Sequence, residues 1–462
     1  MLWERLREAM LRHPEQTVGE GERTFTFAQL VDDAQRRAAG LAGQKYGIYC
    51  ASELNAARCL LSCLAAGAVA VPLSSRYGET HCRRIVEDME LSRLLTDPSG
   101  EPEEQAAADA GEREEPELDG VAVILCTSGT TGRPKGVMLT QEGLWTNLTG
   151  IRSYFRIGEE DRMLIARPLY HCAVLVGEWL TALVSGTAVR LVSEAFNPSA
   201  IASRLEVERI TVCGGTPTLF HHLSRYAARR ARENRPLPLR AAAVSGECLT
   251  PTVAGEMREA FPDAAFYHVY GLTEAGPRVS ALPPEQFDRF SSSAGFPLPG
   301  VEAVVAGEDG RPCPAGTEGE LLLRTPSAMK GYYRRAEATA RAFRGGYLHT
   351  GDRARLDEEG RITLLGRIDD MIIRGGINLY PQEIEAALNG WDGIRETAAC
   401  GTADPVAGQK IRLLAVAPGM TPTQVLAACR ARLPAYQWPD EIRMVDELPR
   451  NGSGKLMRKG EL

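Results

Sequence analysis

The sequence predicts an α/β fold: a large N-terminal domain of α/β layers with a small β-barrel portion, followed by a small, mobile α+β domain. Three observations carry that expectation. From Thr26 to Gly271 apolar residues alternate between recurrence at three and four and short β-like runs. From Ala294 to Arg324 the texture changes to "AGFPLPGVEAVVAGEDGRPCPAGTEGELLLR", short β runs punctuated by Gly and Pro. Beyond a polar break near Arg367 to Asp369, helix and strand signals suffice for a separate core, which sets the domains at 1–367 and 368–462.

Taken in order, "MLWERLREAMLRHPE" mixes acids and bases at helical spacing and has no apolar core or small-residue cleavage site of a secretory signal. "FAQLVDDAQRRAAGLAG" and "NAARCLLSCLAAGA" read as helices flanking the strand "KYGIYC", with "VAVPL" as the next strand. The most apolar stretch, Leu60 to Leu73, contains Pro72 and falls short of the roughly 20 residues a bilayer demands, so no membrane span is expected. Between Asp97 and Asp119 the acid-rich "DPSGEPEEQAAADAGEREEPELD" reads as a loose surface connection. "VAVILC", from Val121, is a compact buried strand followed at once by the loop "TSGTTGRPKG", after which Thr140 can cap a helix beginning "QEGLWTNL". "GTAVRLV", "RITVCGG", "AAAVSG" and "FYHVYG" supply further strands of a parallel core sheet. "PQEIEAALNG", "ETAACGTA", "KIRLLAVAP", "PTQVLAACRARL" and "DEIRMVDEL" then alternate through the small domain.

With 44% hydrophobic and 24% charged residues, the chain has the composition of an ordered globular protein. A formal charge of -7 and the absence of a long basic run exclude the electrostatic footprint of a nucleic-acid binder. The eleven cysteines form no C-x-x-C pair and read as reduced thiols, which suggests a cytoplasmic protein.

The loop from Thr127 to Gly136 concentrates small hydrogen-bonding residues. Gly129 and Gly132 allow a ligand to approach the backbone, Ser128, Thr130 and Thr131 donate hydrogen bonds, and Lys135 brings charge, a set suited to polyphosphate. It is not a Walker loop, because Lys135 stands between Pro134 and Gly136 and no metal-binding hydroxyl follows it.

Five segments occur in one order: this loop, "YGLTE" at Tyr270 to Glu274, "YLHTGD" at Tyr347 to Asp352, "GRIDDMIIRGGINLYPQEIE" from Gly366, and "PRNGSGK" at Pro449 to Lys455. Together they resemble the adenylate-forming superfamily of acyl- and aryl-CoA synthetases, peptide-synthetase adenylation domains and luciferases. The likeness covers nearly the whole chain, and the short loop-to-N-terminus spacing resembles o-succinylbenzoate-CoA ligases. It implies a two-step ligase: a small carboxylic acid attacks the α-phosphate of ATP, and the acyl-adenylate then passes its acyl group to a thiol. That thiol belongs to CoA or to the phosphopantetheine of an acyl or peptidyl carrier protein. A third reading is a non-catalytic ATP-binding scaffold that kept the fold.

The resemblance also implies roles. Thr127 to Gly132 and Lys135 would contact the β- and γ-phosphates, Thr273 the α-phosphate, and Glu274 a Mg²⁺ ion, which needs few protein oxygens. Gly246 and Glu247 of "SGE", with His268, Val269 and Tyr270, match adenine-binding walls. Asp352 matches the acid that binds the two ribose hydroxyls, as its two acceptor oxygens suit, and Arg367 a nucleotide-contacting arginine. Lys455 matches the lysine stabilising the charge where carboxylate and phosphate meet. Asp369 matches a hinge, and Gly375 and Gly376 would let the phosphopantetheine arm pass. His171 in "PLYHC" lies where CoA synthetases carry a histidine or aromatic residue near the acyl pocket, although a core histidine is an equal alternative. The segment lacks the F-D-x-S pattern for an amino-acid ammonium, with Glu178 a possible substitute.

Overall fold

The computed structural model describes residues 1–41, 44–73, 79–106, 115–127, 134–193, 197–247, 249–374, 377–391, 393–404, 408–450 and 456–457. Two mostly parallel sheets, rather than one, organise the first part of the chain. The larger has nine strands in the order Phe296–Pro297, Gly276–Leu282, Ala265–Leu272, Ala241–Val244, Val212–Gly215, Arg162–Ile165, Ala188–Leu191, Thr17–Glu20, Arg23–Thr26. Its six middle strands are parallel. The smaller has seven strands, with Val121–Thr127, Val69–Pro72, Lys45–Tyr49 and Arg93–Thr96 parallel at its centre. The middle strands of both are short apolar runs buried on both faces, such as Val212–Gly215 and Val69–Pro72. Their sequences therefore do not reveal which sheet each one joins.

Local signals behave as the sequence suggests. Thr26 forms a reciprocal capping box with Gln29 at the start of the helix Phe27–Ala38, and Thr140 caps Gln141–Tyr154 by accepting from the Gly143 N–H. Each such cap is worth about 1 kcal/mol. The helices Glu53–Ala66 and Gln141–Tyr154 bury long apolar faces in one core that spans both sheets and includes Trp179, which is fully enclosed.

The acidic connection is not loose over its first part. Glu103–Ala106 forms an exposed edge strand paired with Arg93–Thr96, and Glu101 bonds to Arg23 and Arg58. Farther on, Glu115 accepts from the buried Lys45 ammonium at 2.9 Å. Its acids balance arginines and a lysine contributed by distant helices and strands, which is why a count of like charges along the chain misreads it. Residues 107–114 lie outside the described set.

The expected barrel portion is a five-stranded antiparallel sheet of Glu302–Ala306, Glu318–Arg324, Tyr347–Leu356, Phe343–Arg344 and Ile362–Arg367. Among the described residues its edge strands do not pair with each other, so it stays open. After the single turn Ile368–Asp370, the strands Ile372–Arg374, Ile377–Leu379, Glu396–Asp404, Gly408–Val416 and Glu441–Met444 form another sheet. That sheet packs with the helices Pro381–Leu388 and Pro422–Arg432 around a core of its own, which includes Ile372, Ile384, Leu413 and Val425.

Candidate active site

Three neighbouring parallel strands, Val212–Gly215, Ala241–Val244 and Ala265–Leu272, run into polar segments at their carboxyl ends: Thr216, Ser245 to Glu247, and Thr273 with Glu274. Ligands of open α/β sheets sit in the crevice outside such ends. The buried Ser245 hydroxyl has no hydrogen-bond partner there. Gly246 is exposed in the same turn.

One corner is built on Asp352. The Tyr270 hydroxyl donates to its Oδ2 at 2.5 Å, and Arg367 Nη1 donates to its Oδ1 at 3.2 Å and to the Thr350 carbonyl at 2.8 Å. Thr350 braces the strand by donating to the Leu321 carbonyl and accepting the Asp352 N–H. Gly351, with φ of 68°, sits so close to Arg367 that a Cβ would lie 2.9 Å from Nη2. Burial, and then the neighbouring Asp352 charge, push the Tyr270 phenol well above its ordinary pKa, so it remains a donor. Each carboxylate oxygen has a second lone pair, so Asp352 can still accept from a vicinal diol.

The second corner is built on Glu274, whose Oε1 accepts from the Tyr332 hydroxyl at 2.9 Å. Lys135 Nζ lies 5.1 Å from the centre of the Tyr332 ring, a cation–π distance. Tyr332 was not singled out from sequence; the short strand Gly331–Tyr332 pairs with Lys135–Thr140 and so carries it to both residues. A phenol within reach of a motif acid is a purely tertiary signal. Among the described residues no group of three or more His, Cys, Asp or Glu could hold a metal ion. Glu274 offers one carboxylate, which is enough for a hard cation that takes its remaining ligands from phosphate oxygens and water.

Some expectations need correction. The imidazole of His268 is enclosed, with Nδ1 2.8 Å from the Ser291 carbonyl, and burial lowers its pKa to about 4, leaving it neutral. Val269 is likewise core. The resemblance put both beside the adenine, but the side chain of His268 is turned against residues 291–293 and that of Val269 into the core. Glu178, the acid that could substitute for an ammonium partner, is buried in a π-helical turn, Leu175–Leu180, and its Oε1 is ion-paired with Arg167. His171 is half-buried at the start of the following helix, its ring centroid 4.0 Å from that of Tyr170. Burial pushes the nearby thiols Cys172 and Cys213 up to about 12, which excludes a thiolate nucleophile there.

Thr127 ends its strand paired with Lys135, while Ser128, Gly129, Thr130, Thr131 and Gly132 lie outside the described residues, as do Gly375, Gly376 and Lys455. Two residues flanking the last of these are described. Arg450 Nη1 and the Leu456 N–H both donate to Glu247 Oε1, at 2.9 and 3.1 Å. Asp369 is exposed in the turn Ile368–Asp370, 3.6 Å from Arg367.

The family model described as "AMP-binding enzyme" matches residues 6–333, and "AMP-binding enzyme C-terminal domain" matches 383–455. The chain is 34% identical to a feruloyl-CoA synthase of Amycolatopsis sp, covering 99% of this chain and 97% of that one. It is 32% identical to a 2-succinylbenzoate–CoA ligase of Bacillus velezensis, covering 95% and 94%. The ATP-bound crystal structure of MatB from Rhodopseudomonas palustris superimposes with a TM-score of 0.85 at 26% identity, over 98% of this chain and 96% of that one.

Proposed function

The chain belongs to the AMP-binding enzyme family and is an AMP-forming ligase, and from that premise we propose that it converts a small carboxylic acid to its acyl-adenylate with ATP and then to a CoA thioester. The observation that carries this reading is that one strand and its turn present Tyr270 and Glu274 four residues apart, each bonded to a residue of the later 332–367 stretch, Asp352 and Tyr332 respectively.

In this reading Asp352, held by Tyr270 and Arg367, accepts the ribose hydroxyls. Glu274, held by Tyr332, faces the phosphates, with Thr273 beside it, and would share a Mg²⁺ ion with their oxygens. Thr127 to Gly132 and Lys135 take the leaving pyrophosphate, and Ser245, Gly246 and the main chain of residues 268–270 border the base. Lys455, next to the Glu247-bonded Leu456, offsets the negative charge as carboxylate and α-phosphate converge. Activation is needed because oxide is a poor leaving group and AMP a good one. Residues 368–462 are the small domain, turning about Asp369 so that Gly375 and Gly376 face the thiol arm in the second step. His171 borders the acyl pocket.

Acid-dependent ATP–pyrophosphate exchange over aliphatic, aromatic and amino acids tests the first step, and AMP release with and without CoA tests the second. Exchange accelerated into AMP release by CoA is the expected result. Exchange without that acceleration would point to a carrier-protein thiol, and no exchange with any acid would overturn the ligase reading.

A further inference from the structure

Arg278 is one of the largest fully buried side chains of the protein, 1% exposed, and it sits four residues beyond Glu274 on the strand Gly276–Leu282. Its Nη1 donates to the carbonyl of Pro277, its Nη2 makes no hydrogen bond of ordinary geometry, and the Tyr154 phenol faces the guanidinium. No described carboxylate forms an ion pair with it; Glu178, on the turn packed against it, pairs with Arg167 through Oε1, and its buried Oε2 has no hydrogen-bond partner. A buried guanidinium without a counter-charge is costly, and proteins keep buried charges paired.

The surroundings are shaped for that guanidinium and leave more polar atoms unused. Gly177 gives it room, since a Cβ there would lie 2.9 Å from Nη2. The helix Gln141–Tyr154 turns Asn147 and Tyr154, seven residues apart and so on one face, toward the same strand. Asn147 Nδ2 donates to the Arg278 carbonyl at 2.7 Å, while its buried Oδ1 lacks a partner and the buried Tyr154 hydroxyl, which faces the Arg278 guanidinium, donates to no described acceptor. Burial raises the Tyr154 phenol to about 12 with the Arg278 charge opposing, so it too is a donor. Arg278 and Glu274 both act electrostatically on Cys172, the residue after His171. The nook therefore adjoins the helix that starts at His171 and the strand that leaves the Glu274 turn.

Resting on the acid-ligase reading above, we propose that Arg278 is a specificity-determining residue that binds a second oxyanion on the substrate acid, a distal carboxylate or sulfonate, with the Tyr154 hydroxyl as a further donor. Arg278 stands only four residues beyond Glu274, about 14 Å of chain at full extension, so the second oxyanion would sit on the strand that leaves the Glu274 turn. The class is therefore a short dicarboxylic or sulfocarboxylic acid.

The test compares ATP–pyrophosphate exchange for succinate, glutarate, phthalate and 3-sulfopropionate with butyrate, valerate and benzoate, in the wild type and in Arg278→Met and Arg278→Lys. The wild type should prefer the dianions. Arg278→Met should lower the dianion-to-monoanion ratio of kcat/KM about 100-fold, as expected for loss of charge-assisted hydrogen bonds, and Arg278→Lys should restore part of it. Carboxylate against sulfonate within the panel separates the two sources of the oxyanion. Ligand-free Arg278→Met should melt no lower than the wild type, because it removes an uncompensated charge. A wild type that prefers monoanions, or a variant that lowers all acids equally and melts lower, would overturn the proposal while leaving the ligase reading intact. Absence of exchange with every acid would remove both.

Discussion

The Asp352 corner and the Glu247 contact use the same pairing of carboxylate with guanidinium, but they are held in different ways. Asp352 and Arg367 face each other in the register of two paired strands, with Thr350, Gly351 and Tyr270 fixing the side chains from around them. Glu247 meets Arg450 and Leu456 of the last part of the chain, where an isolated bridge between those two residues is the described backbone pairing. A half-exposed Glu396 is another partner of Arg450. In the proposed function the first arrangement would be a preorganised receptor, since groups on paired strands stay in place before a ligand arrives. In the proposed two-step reaction the second would be a detachable contact, suited to a domain that delivers a lysine for one step and withdraws for the next.

Four experiments break or sharpen that contrast. The largest effect is expected from Lys455→Ala, which should slow acyl-adenylate formation about 100- to 1000-fold, the cost of removing one preorganised charge stabiliser. Its thioester formation from supplied acyl-adenylate should be far less affected, and equal loss in single-turnover assays of the two steps would contradict a role confined to the first.

Acid should act on the receptor rather than on the detachable part. The enclosed His268 has its pKa lowered to about 4, so between the ordinary histidine value and 4 the unfolded chain binds a proton that the folded chain refuses. Stability is full at neutral pH and falls as pH drops from about 6.5 to 4, by up to about 3 kcal/mol. No histidine occurs beyond His349, so the small domain has no counterpart. Melting of the wild type and His268→Asn over that pH range should show a flatter acid limb in the variant; parallel curves would remove His268 as the cause.

Asp352→Asn should raise the KM for ATP about 10- to 100-fold, as charge-assisted hydrogen bonds are lost, with the melting temperature nearly unchanged. An unchanged KM would separate this corner from the nucleotide. Arg450→Ala should have the smallest effect, about 2- to 5-fold on adenylation, because a partly exposed ion pair contributes about 1 kcal/mol or less. A loss as large as that of Lys455→Ala in the same assay would mean that the contact is part of the receptor.

Much of this was legible in the residues. Thr140 announced its helix, the apolar runs their strands, and the motif letters around Asp352 and Glu274 the acids of both corners. Tyr332 and Arg278 were not legible, because their importance comes from what lies beside them: a motif acid for one, and for the other no ion-pair partner among the described residues. His268 and Val269 look like pocket residues in the letters and are core in space. Glu178, which reads as an available acid, is neutralised by Arg167 from the strand end eleven positions earlier.

The sequence by itself determined the family, the α/β class and the order of the chemical motifs, since those depend on local propensity and on residue types at short spacing. Only the tertiary structure decided that there are two parallel-centred sheets, that the acidic stretch is partly tied down, and which buried charges are paired. Strand partnership and charge compensation are contacts between residues far apart in the chain, and their free energy depends on burial and distance that no local window contains.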